Sequence, residues 1–158
     1  MKEEYRMYHL VMYNISPIQQ GIQAYHAGVE YALRYGDTKE YKQWAKIDKT
    51  IIILNGGTSN IHCEFSYKGT MENHIDTLLE NNIKIAWFNE QDLNNSTSAI
   101  AFLVSDKVWD KEKYPDFPMD SITNISYDDR QKEYIKWRKL IGKENIWLRE
   151  FLSQFRLA

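Results

Sequence analysis

The segment Ser16-Pro17-Ile18-Gln19 constrains the fold more than any other part of the chain. Ser16 is a helix N-cap, Pro17 suits the first helical position, and Gln19, three residues past the cap, completes a capping box. A helix therefore starts here, and Gly36 is placed to end it. Residues 5–13, just before it, are rich in aromatic and β-favouring side chains and read as a strand at the centre of a sheet. Residues 50–54 form a short apolar, β-branched run that reads as a strand buried on both faces, stopped by Asn55-Gly56-Gly57. Strand, capped helix, strand is the opening of an α/β fold.

Along the capped helix, Ile18, Ile22, Tyr25, Val29 and Ala32/Leu33 recur at spacings of three and four, a stripe expected to lie on the sheet. Gln19, Gln23, His26 and Glu30 make a polar stripe of the same period. Asp37 with Glu40 repeats the capping-box pattern and opens a short helix through Tyr41, Trp44 and Ala45. Residues 58–69 fit either an insertion or a hairpin arm. Thr70 can cap a helix with Met71, Ile75, Leu78 and Leu79 on one face, ending near Asn81-Asn82.

Residues 83–88 and 98–104 read as the third and fourth strands. The few residues between them are too short for a parallel crossover with its helix, which leaves an antiparallel or looping connection. Pro115 and Pro118 mark an irregular stretch at 106–124, after which 126–140 and 144–155 read as helices broken at Gly142, expected to cover an edge or a face.

A chain of 158 residues fits one domain, 1–158, without a second core. Cys63 is the single cysteine and cannot pair within the chain, and His9, His26, His62 and His74 show no ligand spacing, so no structural metal is expected. No signal-peptide pattern and no long apolar stretch is present, which points to a cytoplasmic protein with no membrane partner. The net charge of −2 is no magnet for nucleic acid, but residues 130–158 carry eight Lys/Arg against three acids. That basic tail either meets phosphate or is a solvated helix face.

The run Ile15-Ser-Pro-Ile-Gln-Gln-Gly-Ile-Gln-Ala-Tyr-His-Ala, with Gln23, His26 and Ala27, resembles the first-helix motif of the peptidyl-tRNA hydrolase II family. Two further stretches keep the order: 83–90 followed by Asp92-Leu93 and Thr97-Ser98-Ala99-Ile100-Ala101, and the ending Phe151-Leu-Ser-Gln-Phe-Arg-Leu-Ala. The last resembles the ending of peptidyl-tRNA hydrolase domain-containing proteins and of related proteins from large bacterial viruses. The resemblance covers 5–104 and the final dozen residues. It implies a three-layer α/β/α fold around a mixed, mostly parallel four-stranded sheet, with additional C-terminal helices. Residues 105–145 have no counterpart in small members of the family and count as an insertion or extension.

The same resemblance implies hydrolysis of the ester in peptidyl-tRNA or a related aminoacyl-tRNA, without metal or cofactor. Such a site needs an activated water, donors for the developing oxyanion, and contacts to ribose and phosphate. His26 would act as base or orient water, since histidine titrates near neutrality; its other reading is a packing histidine. Glu90 or Asp92 would hold the water, and Thr97 would donate to substrate; turn chemistry and a strand start explain them equally. Gln23 completes the set. Gln19 falls where the family has its catalytic lysine and cannot supply that charge, which suggests the alternative of a weak or inactive member binding RNA or protein.

Lys42, Lys46 and Lys49, interleaved with Tyr41 and Trp44, are candidate RNA contacts, joined by Arg138, Lys139 and Arg156 from the basic tail. The bland reading of the lysines is one solvated helix face. Peptidyl-tRNA or another RNA is the expected partner, and a homodimer is allowed. Gly56-Gly57 is no phosphate loop, since no GxxxxGK[ST] follows, and no GxSxG points to a serine nucleophile.

Overall fold

The Ser16 half of the expected capping box forms, whereas the Gln19 side chain lies against Gln23. In the computed structural model, which describes residues 2–59, 70–118 and 125–158, Ser16 Oγ accepts the Gln19 backbone N–H at 3.2 Å, and Pro17 opens helix α1 (Pro17–Tyr35). Ser16 is exposed, so Ser16→Ala removes the cap without opening a cavity. The expected loss is about 1 kcal/mol of stability, read as a lower denaturant midpoint with unchanged slope. An unchanged midpoint would show that sheet contacts alone hold the start of α1.

Four strands follow the expected order: β1 (Tyr5–Met12), β2 (Ile51–Gly57), β3 (Ile85–Glu90) and β4 (Ser96–Ser105). They lie side by side as β2-β1-β4-β3. β1 is internal, as its aromatic, β-favouring sequence suggests, and β4 is the other internal strand. The sheet is mixed. β1 pairs in parallel with β2, Met7 opposite Ile51, and β4 pairs antiparallel with both β1 and β3. The expectation of mostly parallel pairing is thereby corrected, because the short turn 91–95 returns the chain as a hairpin.

The apolar run of β2 does not signal burial on both faces. β2 is an edge strand, and Ile51 is 54% exposed. Part of its free edge is taken by the end of the chain: Asn55 N–H donates to Arg156 O at 2.9 Å, and Ala158 N–H to Ile53 O at 3.0 Å. Gly56 and Gly57 serve close approach. A Cβ on Gly57, whose φ is +98°, would fall 1.9 Å from Thr70 Oγ1, and one on Gly56 2.5 Å from Met71 Sδ. The start of helix α3 (Thr70–Glu80) therefore sits directly against the end of β2. Met71, Ile75 and Leu78 of α3 are buried as expected, but Leu79 is half-exposed.

The largest correction concerns α1, which packs on β1, β3 and β4. Its buried residues are Gln23, Ala24, Ala27 and Tyr31, whereas Ile18, Ile22, Tyr25, Val29 and Leu33 are exposed. The small alanines let the helix approach the sheet closely, and the large apolar stripe expected there points away. Thr38, one residue after the expected Asp37, caps the short helix α2 (Lys39–Gln43) through its side chain. A π-helical turn, Trp44–Asp48, follows, and Trp44 Nε1 donates to Thr50 O at 2.9 Å.

Past β4 come α4 (Asp106–Trp109), α5 (Tyr127–Ile141), capped by Ser126, and α6 (Lys143–Ser153). They break at Gly142, φ +94°. The stretch after β4 is thus helical at its start, not irregular throughout. Arg149 of α6 ties it down, with Nη2 donating to Lys107 O and Tyr114 O and Nη1 to Asp116. The His74 ring of α3 meets Phe151 and Phe155 edge-on. No helix among the described residues is long and apolar enough to cross a membrane. Residues 60–69, with His62 and Cys63 and most of the ambiguous segment, and 119–124 lie outside the described residues.

Candidate functional site

β1 leads into the start of α1, and β3 ends where β4 begins, so the first turns of α1 stand beside the β3–β4 hairpin. Gln23 makes the junction. It is 1% exposed, and its Nε2 donates to Glu90 Oε2 at 2.8 Å across a sequence separation of 67 residues. Its Oε1 accepts from Ser98 Oγ at 2.6 Å. Ser98 is fully buried, and its oxygen also lies 3.2 Å from Phe88 O. The ionised Glu90 carboxylate can only accept, so the amide must present nitrogen to Glu90 and oxygen to Ser98, whose hydroxyl then donates. The direction of the chain Ser98 to Gln23 to Glu90 is fixed by valence.

Glu90 ends β3 and caps the 3₁₀ turn Gln91–Leu93, accepting the Asp92 backbone N–H at 3.3 Å. The hydrogen bond from Gln23 holds its carboxyl below the usual carboxylate range, and the Asp92 N–H acts in the same direction, against desolvation. Glu90 is therefore an ionised carboxylate at neutral pH, oriented from one side and open on the other.

The other residues fall around this carboxylate unequally. His26, one turn after Gln23 on α1, is half-buried and stacks on Phe88, ring centroids 4.3 Å apart at 14°. Gln19 is exposed, and its Oε1 lies 3.5 Å from Gln23 Nε2, at the limit of a hydrogen bond. Asp92 has an exposed side chain and contributes its backbone N–H. Thr97 is 2% exposed, and its hydroxyl donates to Asn89 Oδ1 at 3.0 Å, while its N–H donates to Ser59 Oγ at 3.0 Å. Ser59 in turn donates to Glu72.

Ser98 and Asn89 are the positions that sequence reasoning passed over. Ser98 stands inside the Thr97-Ser98-Ala99 stretch, but a serine in a strand carries no signal until its partner is known. His9 was also passed over: it is 3% exposed on β1, and among the described residues its Nδ1 finds no hydrogen-bond partner.

The proposed RNA contacts are all exposed and are spread over α2, the π-helical turn, the end of α5 and the C-terminal tail. Lys42 sits on α2, where it pairs with Asp37 at 3.3 Å, and Lys46 lies on the π-helical turn, with Lys49 just after it in the left-handed region. Arg138 and Lys139 close α5, and Arg156 lies in the tail along β2. Among the described residues no group of three or more His, Cys, Asp or Glu is arranged to hold a metal ion. No protein-family model matches the chain, and no curated protein matches it.

Proposed function

We propose that this chain hydrolyses the ester of peptidyl-tRNA or of a related aminoacyl-tRNA in the cytoplasm, in a peptidyl-tRNA hydrolase II-like fold. One observation carries the proposal: the 2.8 Å hydrogen bond from Gln23 to Glu90, which joins the first-helix motif to the end of β3. Both regions carry the resemblance in the sequence, and they meet at a polar, outward-facing carboxylate. The three-layer arrangement belongs to the same proposal. It is supported by the neighbouring β1 residues His9 and Leu10, whose side chains point to opposite faces: His9 toward Gly28 of α1, Leu10 toward Gly56 beside α3.

In the proposed reaction a water held by Glu90 attacks the ester carbonyl, with His26 beside it to orient the water or take its proton; the tetrahedral adduct then collapses, the carbonyl carbon–ribose oxygen bond breaks, and the ribose oxygen leaves with the proton given up by the water. Gln19, one turn before Gln23, reaches over the same surface as a neutral donor. The exposed Lys46 and Lys49 lie by the start of β1, at the other end of the sheet from Glu90, and would meet phosphates of the RNA away from the ester. Labelled peptidyl-tRNA should release its peptide in the presence of the purified chain at a rate well above buffer. A rate equal to buffer would remove the hydrolytic reading.

A second reading has its own observation. The expected lysine position is Gln19, exposed and uncharged, and Gln23 already spends both ends of its amide on Ser98 and Glu90. A chain of this kind would grip RNA without cleaving the ester. Retained RNA affinity that falls as salt rises, with no hydrolysis, would select it.

A further inference from the structure

Helix α1 is apolar on two sides, and its own sheet covers one. The uncovered side is a ridge of Ile18, Ile22, Tyr25, Val29 and Leu33, which are 77, 42, 75, 41 and 76% exposed. A continuous apolar ridge left open on a helix whose other side already packs on a sheet marks a surface built to be covered. The spacing from Ile18 to Ile22, Tyr25, Val29 and Ala32 alternates four and three, the period by which one helix presents a continuous seam to another. Charge is missing as well: from residue 17 to 29 there is no Asp, Glu, Lys or Arg, in a chain that is 27% charged.

A groove of about 350 Å³ runs along the flank of this ridge, between α1, the π-helical turn and β2. Gly21, Gly28, Tyr41, Trp44, Ile51 and Ile53 are among its walls. It is open at Gly21, where a Cβ would meet nothing within 4 Å, while at Gly28 a Cβ would touch His9 Nε2 at 3.5 Å. Ridge and groove therefore stand side by side on one surface.

We propose that this surface is a homodimer interface, in which α1 of a second copy crosses α1 antiparallel near Tyr25 and the ridge of each copy enters the groove of the other. A two-fold contact sets a patch against itself, so the patch must complement itself in shape and charge. An uncharged ridge beside an uncharged groove meets both conditions. RNA finds no cation on the ridge, which argues against it as the occupant. Size agrees: an exposed aliphatic side chain presents on the order of 100 Å², so the ridge with Ile47 and Ile51, 60 and 54% exposed, presents several hundred Å². That exceeds scattered surface residues and supplies the centre of a standard interface of about 800 Å² per partner. The proposal is independent of the hydrolytic reading.

Sedimentation velocity of the full chain at micromolar concentration should show a species of twice the 18.8 kDa chain mass. Ile22→Glu and Val29→Lys, at positions 42 and 41% exposed in the single chain, should each weaken the dimer by about thirtyfold or more, with circular dichroism unchanged and the thermal midpoint losing its dependence on protein concentration. Near a two-fold at Tyr25, position 22 of one copy faces position 29 of the other, so mixing the two variants should restore a dimer. A chain that stays monomeric at every concentration leaves the face to a different partner and overturns the proposal. A dimer that survives both single substitutions overturns it too.

Discussion

Glu90→Gln is expected to lower the rate of peptidyl-tRNA hydrolysis by about a hundredfold or more while keeping the fold and weakening only the cap of the turn at 91–93. Glutamine keeps the length of the side chain and can turn its carbonyl oxygen toward Gln23 Nε2, so the 2.8 Å bond survives, while its amide nitrogen cannot accept the Asp92 N–H. What disappears is the negative charge that would hold and polarise the attacking water, and a positioned acid or base is worth roughly 10²–10⁴ in rate. Gln23→Leu separates the structural part. It leaves the Ser98 hydroxyl with only Phe88 O and removes the main hydrogen bond to Glu90, so stability should fall by about 1–3 kcal/mol together with the rate. Because Gln23 holds the Glu90 carboxyl below the usual carboxylate range, this group stays ionised at and above that range. The kcat/KM profile should therefore show no step from Glu90 near neutrality. Wild-type turnover by Glu90→Gln would take this carboxylate out of the mechanism.

The alternation of strands and helices was legible because each signal is local. The Ser-Pro cap, the β-branched run after it and the Ser126 cap state their element types within a few residues. Which side of α1 faces the sheet was not legible, since Ile18, Ile22 and Leu33 are more apolar than Gln23, Ala24 and Ala27. Burial followed small size and satisfied hydrogen bonds instead, as the alanines allow close approach and Gln23 finds partners at both ends of its amide. The same limit hid the edge position of β2: an apolar run looks alike in a central strand and in an edge strand beside an open groove. At the site, Gln23 and Glu90 could be named from the ordered motifs. The part of Ser98 could not, because it depends on a contact 75 residues away.

His9 should make the protein lose stability on mild acidification. It lies on internal strand β1, and burial pushes its pKa down to about 4, a pull that the Ile52 backbone opposes without reversing. In the unfolded chain the same imidazole titrates near 6.5. Above that pH both states are neutral and His9 makes no difference. As pH falls below 6.5 the unfolded chain takes up a proton that the folded one refuses, so stability declines until about pH 4, by about 3 kcal/mol in total and by about 2 kcal/mol between pH 6.5 and 5. His74 is also held down by burial, against the Gly56 backbone, and adds a loss of the same sign. Glu90 and Asp116 have lowered pKa values, through Gln23 and Lys111 respectively, so their stabilisation is lost only at more acidic pH. The window from 6.5 to 5 thus belongs to the histidines. His9→Leu replaces an imidazole whose Nδ1 has no partner among the described residues by an apolar side chain facing an apolar groove. It should leave stability at pH 7.5 equal or higher, and denaturant titrations at pH 7.5, 6.5, 5.5 and 5 should show a much flatter decline than the wild type, with the His74 share remaining. Parallel declines in the two proteins would mean that His9 is protonated in the folded state, and that the groove beside it admits enough water to solvate the charge.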